Sequence, residues 1–275
     1  MKRRHMKHFL SAFLVVTVMF TFAGFSKANA EEYNDQALNE QLVMATVWYQ
    51  KSAEMRALSY QAFNFAKLLF DADLRKGSSE KKRAVVVDID ATVLDSSPYD
   101  AGLVDRNYGY SKGWGEWIAA AKAEAMPGAV AFLNYVSSKG GSVFYLSNRK
   151  VKEKESTMKN LIDVGFPQVK DDHMLLREKT LDKEPGRMLV HRNHQIVLMI
   201  GDNLNDFDNI FMGKSVDDRL KAVDLLQGKF GINFIVIPNP TYGDWEAAVY
   251  NYNWKLSPKE KSAARKAALN RWNMD

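Results

Sequence analysis

The 275-residue chain contains no cysteine. Disulfide bonds, metal sites built on thiolates and a cysteine nucleophile are therefore excluded. The chain also lacks internal repeats and low-complexity tracts.

Acidic residues are absent from the first thirty positions. This segment begins with the basic stretch MKRRHMK, continues with an apolar run of 17 residues over positions 9–25, and ends with Ala28-Asn29-Ala30. The order is typical of a signal peptide with a small-residue cleavage site, so residues 1–30 are predicted to be one. A retained membrane anchor is the alternative, but the run is short for a membrane span. We expect an exported protein, periplasmic or secreted, with no stable membrane anchor in its mature form.

The basic character of the chain depends on the same segment. Cleavage after Ala30 would remove five basic residues and no acidic one, which takes the formal net charge from +5 to zero. The pI of about 9.1 therefore describes the precursor, and charge gives no support to nucleic-acid binding. Residues 31–275 are predicted to form a single domain with a large core.

Apolar runs that end in polar residues occur at three places. They are AVVVDIDATVLDSSPY over 84–99, SVFYLSNR over 142–149 and IVLMIGDNLNDF over 196–207, and a fourth strand is predicted over 232–237. In open α/β sheets, ligands bind at the carboxyl ends of such strands. The sequence therefore predicts an α/β protein with a polar site where these strands end.

Helical periodicity predicts an N-terminal helical segment within residues 31–83, with one helix over 35–75. Residues 95–126 interrupt the alternation of strands and helices and carry several aromatic residues. Because this insertion follows the first strand, we expect it to lie over the strand ends as a cap. Further helices are predicted over 128–138, 153–164 and 257–272.

Two aspartates and a threonine follow the first apolar run. Asp88 and Asp90 are separated by one residue, and Thr92 comes two positions later. This DxDxT spacing is the arrangement of aspartate-based phosphoryl transfer, in which Asp88 would attack phosphorus and Asp90 would protonate the leaving oxygen. A strand that merely ends in a turn rich in Asp and Ser is the alternative interpretation.

The order of the motifs is Asp-x-Asp, then Ser, then Lys, then Gly-Asp-x-x-x-Asp, and it resembles the haloacid dehalogenase superfamily of phosphatases. More narrowly, DIDATVLDSSPY together with GDNLNDF resembles the class C acid phosphatases, bacterial outer-membrane lipoproteins that act as 5′-nucleotidases. The similarity extends from about Leu38 to Trp245. It implies a Rossmannoid parallel sheet flanked by helices, with a small cap. It also implies an exported, Mg²⁺-dependent acid phosphatase for phosphate monoesters, with nucleoside 5′-monophosphates as the expected substrates and an aspartyl-phosphate as the intermediate.

The resemblance further implies roles for individual residues. Asp88, Asp90 and Ser147 would be catalytic, together with a lysine for which Lys183 is favoured over Lys179. Ser147 would hydrogen-bond a phosphoryl oxygen, and the lysine would balance the charge of the phosphate. A serine that only makes a local turn at the end of its strand is the alternative for Ser147.

The implied ligands and substrate contacts come from several segments. Mg²⁺ would be bound by the carboxylates of Asp88 and Asp202, by the backbone carbonyl of Asp90, and by Asp206 either directly or through a water. Substrate would be bound by the backbone N–H of Asn148, with Trp114 and Tyr242 placed to sandwich an aromatic base.

Three features depart from the family pattern. No cysteine is available for acylation, so the resemblance does not extend to a lipid anchor. Ala91 stands where the family has Glu, and Asn205 stands where it commonly has Asp. Two rival functions stay open, namely a phosphatase for small non-nucleotide monoesters and a catalytically weak surface binding protein on the same fold. The oligomeric state is also open, with a homodimer among the alternatives.

Overall fold

The computed structural model describes residues 33–272, and the predicted signal peptide lies outside these residues. Sixteen helices and strands follow one another along this part of the chain, not counting short 3₁₀ turns. They are α1 (Asp35–Asn39), α2 (Val43–Lys51), α3 (Ala53–Leu74), β1 (Lys82–Val87), α4 (Ser97–Leu103), α5 (Trp114–Ala120), α6 (Ala129–Ser138), β2 (Ser142–Lys150), α7 (Lys154–Asp163), β3 (Met174–Arg177), α8 (Glu184–Asn193), β4 (His194–Gly201), α9 (Val216–Leu225), β5 (Phe234–Val236), α10 (Asp244–Val249) and α11 (Pro258–Ala267).

The five strands form one parallel sheet in the order β3-β2-β1-β4-β5. Strand β1 is central, and its Val86 pairs with Phe144 of β2 and Met199 of β4. This register brings the carboxyl ends of β1, β2 and β4 to the same edge of the sheet. The predicted α/β fold with a parallel sheet is therefore confirmed, and the polar motifs lie at the edge where open α/β sheets bind their ligands.

Both faces of the sheet are covered. Val85 and Val87 of β1 belong to the main core, which includes Phe63 and Phe70 of α3. The alternate residues of β1 point to the other face, where they form a second cluster with α8. Burial on both faces explains why β1 is a continuous apolar run rather than an alternating one. Among residues 33–272, no helix is long and apolar enough to cross a membrane.

The structure corrects several predicted boundaries. The helix predicted over 35–75 is broken at Ser52, which is extended (φ −75°, ψ 135°) and whose hydroxyl accepts a hydrogen bond from the N–H of Met55 at 3.0 Å. Serine competes for backbone donors in this way and begins a new helix. Strand β3 was not predicted, because its four residues MLLR lie at the sheet edge and carry no periodicity. Strand β5 and helix α11 are shorter than predicted.

The insertion after β1 contains two short helices, α4 and α5, and α4 lies where no helix was predicted. The N-terminal segment holds it through Asn39, whose Nδ2 is 2.9 Å from each of the carbonyl oxygens of Leu103, Arg106 and Tyr108. At the far end of the insertion, the amide of Asn160 pairs with both backbone groups of Ala123. These contacts tie the insertion to α1 and α7.

Candidate active site

Asp88 lies directly after β1, and its buried carboxylate faces a buried lysine. The backbone N–H of Asp88 donates to the carbonyl oxygen of Ile200 at 2.9 Å, which continues the pairing of β1 with β4. Lys183, immediately before α8, donates from Nζ to Oδ1 of Asp88 at 2.5 Å and to Oδ1 of Asp206 at 2.6 Å. Lys179, the alternative from the sequence, is exposed. The structure thus brings Lys183 into contact with two of the predicted site residues.

The charges around Lys183 are strongly coupled. Burial lowers the pKa of Lys183, but the carboxylates of Asp206 and Asp88 more than offset this and raise the pKa above its usual value. Burial raises the pKa of Asp88 to about 7, with Lys183 lowering it and Asp206 and Asp90 raising it. A single ammonium group therefore does not fully compensate the negative charge at this site.

Three carboxylates converge at the ends of β1 and β4. Asp88, Asp202 and Asp206 each offer an oxygen, and these oxygens all lie within 4.8 Å of one another. Burial raises the pKa of Asp202 well above its usual value, and the charges of Asp206 and Asp88 raise it further. Oxygen ligands gathered around a site of excess negative charge are the donor set that hard divalent cations prefer. These residues therefore fit the predicted metal.

The carboxylate of Asp202 is held by two neighbouring side chains. Asn239 donates from Nδ2 to Oδ2 of Asp202 at 2.8 Å, and Thr92 donates from Oγ1 to Oδ1 of Asp202 at 3.2 Å. Both oxygens of Asp202 are thus oriented by side chains from other segments. Such contacts set the direction in which a carboxylate offers its lone pairs.

A buried arginine holds the loop that carries Asp206. Arg187 donates from Nη1 to the backbone carbonyls of Asn205 (3.0 Å) and Asp206 (3.1 Å). The Oδ2 atom of Asp206 in turn accepts from the backbone N–H of Asn203 at 3.0 Å. The loop after β4 is therefore tied to α8, the helix that Lys183 precedes.

Asp90 is paired with Arg149 of β2. The guanidinium donates from Nε to Oδ2 of Asp90 at 2.9 Å and from Nη2 to Oδ1 at 2.7 Å, and a third bond joins Nη1 to Thr157 Oγ1 at 3.2 Å. Arg149 is only 2% exposed. A bidentate pair of this kind fixes the plane of the carboxylate as well as its position.

Ser147 and Asn148 lie near the end of β2. Ser147 is buried, and its Oγ accepts a hydrogen bond from the N–H of Arg149 at 3.1 Å. This is the local bond expected of a strand-end serine, yet it uses only a lone pair and leaves the hydroxyl proton free to donate. The side chain of Asn148 is exposed.

The two predicted aromatic residues have different surroundings. Trp114, at the start of α5, packs edge-on against Tyr99 with ring centroids 4.9 Å apart and lies 5.9 Å from the ring of Tyr110. The hydroxyl of Tyr242 lies 3.2 Å from Oγ of Ser96. Burial raises the pKa of Tyr242 well above its usual value, and nearby carboxylates of the site raise it further. Among residues 33–272, the aromatic contacts of Trp114 are with Tyr99 and Tyr110, not with Tyr242.

Comparison with known protein families identifies the family of this chain. The family model described as HAD superfamily, subfamily IIIB (acid phosphatase) matches residues 14–245. The chain belongs to this family. The phosphatase is accordingly a phosphoric monoester hydrolase, and the predicted family, fold and enzyme class are confirmed.

The phosphatase is also similar to proteins of known structure. The class C acid phosphatase from Bacillus anthracis is 48% identical, with a TM-score of 0.83 over 86% of this chain and 99% of that one. A second structure of that enzyme, with tungstate bound, matches equally well. More distantly, the stem 28 kDa glycoprotein of Glycine max is 26% identical over 198 residues, which is 66% of this chain and 72% of the glycoprotein.

Three residues that orient the site were not predicted from the sequence: Arg149, Arg187 and Asn239. Each acts through a partner far away in the sequence. Arg149 offered one signal, because it lies two positions after Ser147 and a buried strand rarely carries an unpaired arginine. Ala91 is buried with φ +54°, and its carbonyl accepts a bond from the Tyr49 hydroxyl at 3.3 Å.

Proposed function

We propose that the phosphatase hydrolyses phosphate monoesters through an aspartyl-phosphate on Asp88, with Mg²⁺ as its cofactor. The observation that supports this most directly is the meeting of Asp88, Lys183, Asp202 and Asp206 at the ends of β1 and β4, with Asp90 two residues after the nucleophile. A carboxylate nucleophile, a cation and a second carboxyl group are the parts that this chemistry needs.

The metal would be held by the carboxylates of Asp88, Asp202 and Asp206, together with the backbone carbonyl of Asp90. When bound, Mg²⁺ neutralises the phosphate oxygens, so that a negatively charged nucleophile can approach. Burial raises the pKa of both Asp88 and Asp202, and neighbouring carboxylates raise each pKa further; a divalent cation would offset both effects.

The residues of the chain would carry the proton and group transfers. Asp88 attacks phosphorus, the bond to the leaving oxygen breaks, and Asp90 gives its proton to that oxygen. Asp90 then takes a proton from water, which attacks phosphorus, breaks the aspartyl-phosphate and releases inorganic phosphate. Lys183, the hydroxyl of Ser147 and the backbone N–H of Asn148 would donate hydrogen bonds to the phosphoryl oxygens. The Bacillus anthracis relative has a structure with tungstate bound, which supports the binding of an oxyanion by this chain.

Replacing the nucleophile tests the mechanism. Asp88→Asn should abolish hydrolysis of p-nitrophenyl phosphate, because an amide cannot form the aspartyl-phosphate. The matched control is Asp224→Asn, which alters an exposed aspartate and should leave the rate unchanged. Mass analysis of acid-quenched wild-type enzyme should locate the phosphoryl group on Asp88. A fully active Asp88→Asn enzyme, or a phosphoryl group found elsewhere, would refute the mechanism.

We further propose nucleoside 5′-monophosphates as substrates. Three aromatic side chains that could stack on a base support this proposal. Trp114 and the 71%-exposed Tyr110 lie in the insertion, and Tyr242 lies beside the site carboxylates. Small non-nucleotide monoesters are the second candidate, favoured by the contacts that already engage Trp114 with Tyr99 and Tyr110. Trp114→Ala and Tyr242→Ala should raise KM for nucleotides more than for p-nitrophenyl phosphate, since base stacking contributes about 1–3 kcal/mol. Equal losses on both substrates would favour the second candidate.

Export is a separate proposal and rests on the N-terminal sequence. We propose cleavage after Ala30, release to the periplasm or the exterior, and no lipid anchor, since the chain has no cysteine to acylate. The intact mass of the exported protein decides this, because the protein should begin at Glu31 and carry no lipid.

A homodimer is proposed as the assembly to test, by light scattering of the mature protein.

A further inference from the structure

A buried carboxyl group of the insertion is connected to the candidate metal site by a chain of hydrogen bonds. Asp100 of α4 is buried, and its Oδ2 lies 3.0 Å from Oγ1 of Thr241. The same Oγ1 lies 2.7 Å from Oδ1 of Asn239. Asn239 in turn donates from Nδ2 to Oδ2 of Asp202 at 2.8 Å. The proposed mechanism assigns no role to Asp100.

The orientation of the amide in this chain is determined by its neighbours. Oδ1 of Asn239 also accepts a bond from the backbone N–H of Thr241 at 2.9 Å, and a backbone N–H can only donate. The amide oxygen therefore faces Thr241, and the amide nitrogen faces Asp202. A flipped amide would lose this backbone bond and would turn its oxygen towards the carboxylate.

The position of the protons follows from a count of donors. The hydroxyl of Thr241 has one proton and two acceptor neighbours, Asn239 Oδ1 and Asp100 Oδ2. The amide oxygen cannot donate, whereas a protonated carboxyl group can. All contacts are satisfied together only when Asp100 donates to Thr241 and Thr241 donates to Asn239.

The surroundings of Asp100 favour that protonated form. Burial raises the pKa of Asp100 to about 7, the bond with Thr241 lowers it, and Asp95, Asp90 and Glu246 raise it. The charges that act most strongly on Asp100 are those of Asp95, Asp90 and Glu246, and its own charge acts on the phenols of Tyr49, Tyr99 and Tyr242. None of these groups would supply positive charge to an ionised Asp100.

We propose that Asp100 is a positioning residue for the metal site: in its protonated form it acts through Thr241 and Asn239 to orient the Asp202 carboxylate. This inference rests on the proposed role of Asp202 as a metal ligand. Ionised Asp100 would accept the Thr241 proton instead, so Asn239 would lose one of its two donors. Metal affinity would then decline on the alkaline side, and the insertion would thereby contribute to an acidic working range.

Two substitutions at Asp100 distinguish the effect of its hydrogen-bond donor from the effect of its negative charge. Asp100→Asn keeps a group that donates to Thr241 at every pH, and Asp100→Leu removes the donor at similar size. We measure the Mg²⁺ affinity of the full mature chain by calorimetry, without substrate, at pH 5.5 and pH 8. Asp100→Asn should match the wild type at pH 5.5 and bind more tightly than the wild type at pH 8. Asp100→Leu should bind about tenfold more weakly at pH 5.5, the low end of the effect typical of residues that orient a metal ligand.

A variant outside the insertion keeps the test independent of the packing around Asp100. Thr241→Val removes the hydroxyl with little change of shape and should weaken Mg²⁺ binding as Asp100→Leu does. Unchanged affinity in Thr241→Val and Asp100→Leu, with the native circular dichroism spectrum, would overturn this inference and leave the metal site in place. A wild-type chain that binds no divalent cation would overturn the metal site and this inference together.

Discussion

Gly201 and Asp206 approach each other so closely that only glycine fits at the end of β4. A Cβ atom on Gly201 would lie 2.2 Å from Oδ2 and 2.6 Å from Cβ of Asp206, far inside van der Waals contact. The backbone of Asp206 cannot retreat freely, because Arg187 holds its carbonyl oxygen. Glycine at this position therefore allows the Asp206 carboxylate to reach Lys183 and the other two carboxylates.

Gly201→Ala should displace the Asp206 carboxylate. We expect Mg²⁺ affinity to fall by about 10–100-fold, the range typical when the support of a metal ligand is disturbed. The control is Gly228→Ala, because a Cβ at Gly228 meets no atom within 4 Å. Calorimetric titration with Mg²⁺ measures the effect, and equal affinities in the two variants would contradict it.

Lys183→Met should destabilise the protein most when no metal is bound. It removes the ammonium group between Asp88 and Asp206 and leaves two buried carboxylates without a cation. Breaking a buried ion pair in this way costs about 3–5 kcal/mol of the free energy of unfolding. Urea unfolding should show this loss, and saturating Mg²⁺ should reduce it. Lys179→Met, at an exposed site, should change little, and a larger effect at Lys179 would contradict the assignment of Lys183.

Asp100 should also make the stability of the fold depend on pH. Its pKa in the folded state is about 7, against a usual value of 3.8, so between these values the folded state binds more protons than the unfolded state. The contribution of Asp100 to the free energy of unfolding is therefore full at low pH and is lost as the pH rises through about 7. Asp100→Asn lacks this pH-dependent contribution. The free energy of unfolding of Asp100→Asn should therefore rise relative to that of the wild type as the pH increases from 5 to 8. Urea unfolding at the two values checks this, and a constant difference would contradict it.

Strands buried on both faces were predictable from the sequence, and short or edge elements were not. β1, β2 and β4 appear as unbroken apolar runs because helices cover both faces of the sheet. β3 has four residues at the edge, and α4 has seven residues within the insertion, so neither shows a full period. The break at Ser52 depends on a hydrogen bond to Met55 rather than on hydrophobic spacing.

The candidate site shows the same division between local and long-range information. Asp88 and Asp90 share a motif of a few residues, so spacing alone indicated them. Asn239 and Arg149 each meet their aspartate across the fold: Asn239 is 37 residues from Asp202, and Arg149 is 59 residues from Asp90. Such pairs exist because parallel strands bring distant segments to one edge, and no local pattern records which partner each will meet.

The pairing of Arg149 with Asp90 yields a test that separates a catalytic effect from packing. Arg149→Met keeps the apolar stem but removes both bonds that hold the Asp90 carboxylate. A ribose oxygen leaves poorly without a proton, whereas p-nitrophenolate leaves readily, so a displaced Asp90 should matter more for nucleotides.

We expect kcat for a nucleoside 5′-monophosphate to fall by about 100-fold in Arg149→Met, the low end of what a positioned general acid contributes. The loss for p-nitrophenyl phosphate should stay below about tenfold, because its leaving group needs little help from an acid. Arg192→Met, at an exposed arginine, is the control and should leave both rates unchanged. Parallel measurement of kcat on the two substrates decides the matter. Equal losses would mean that Arg149 supports the packing between β2 and α7 rather than the proton transfer by Asp90.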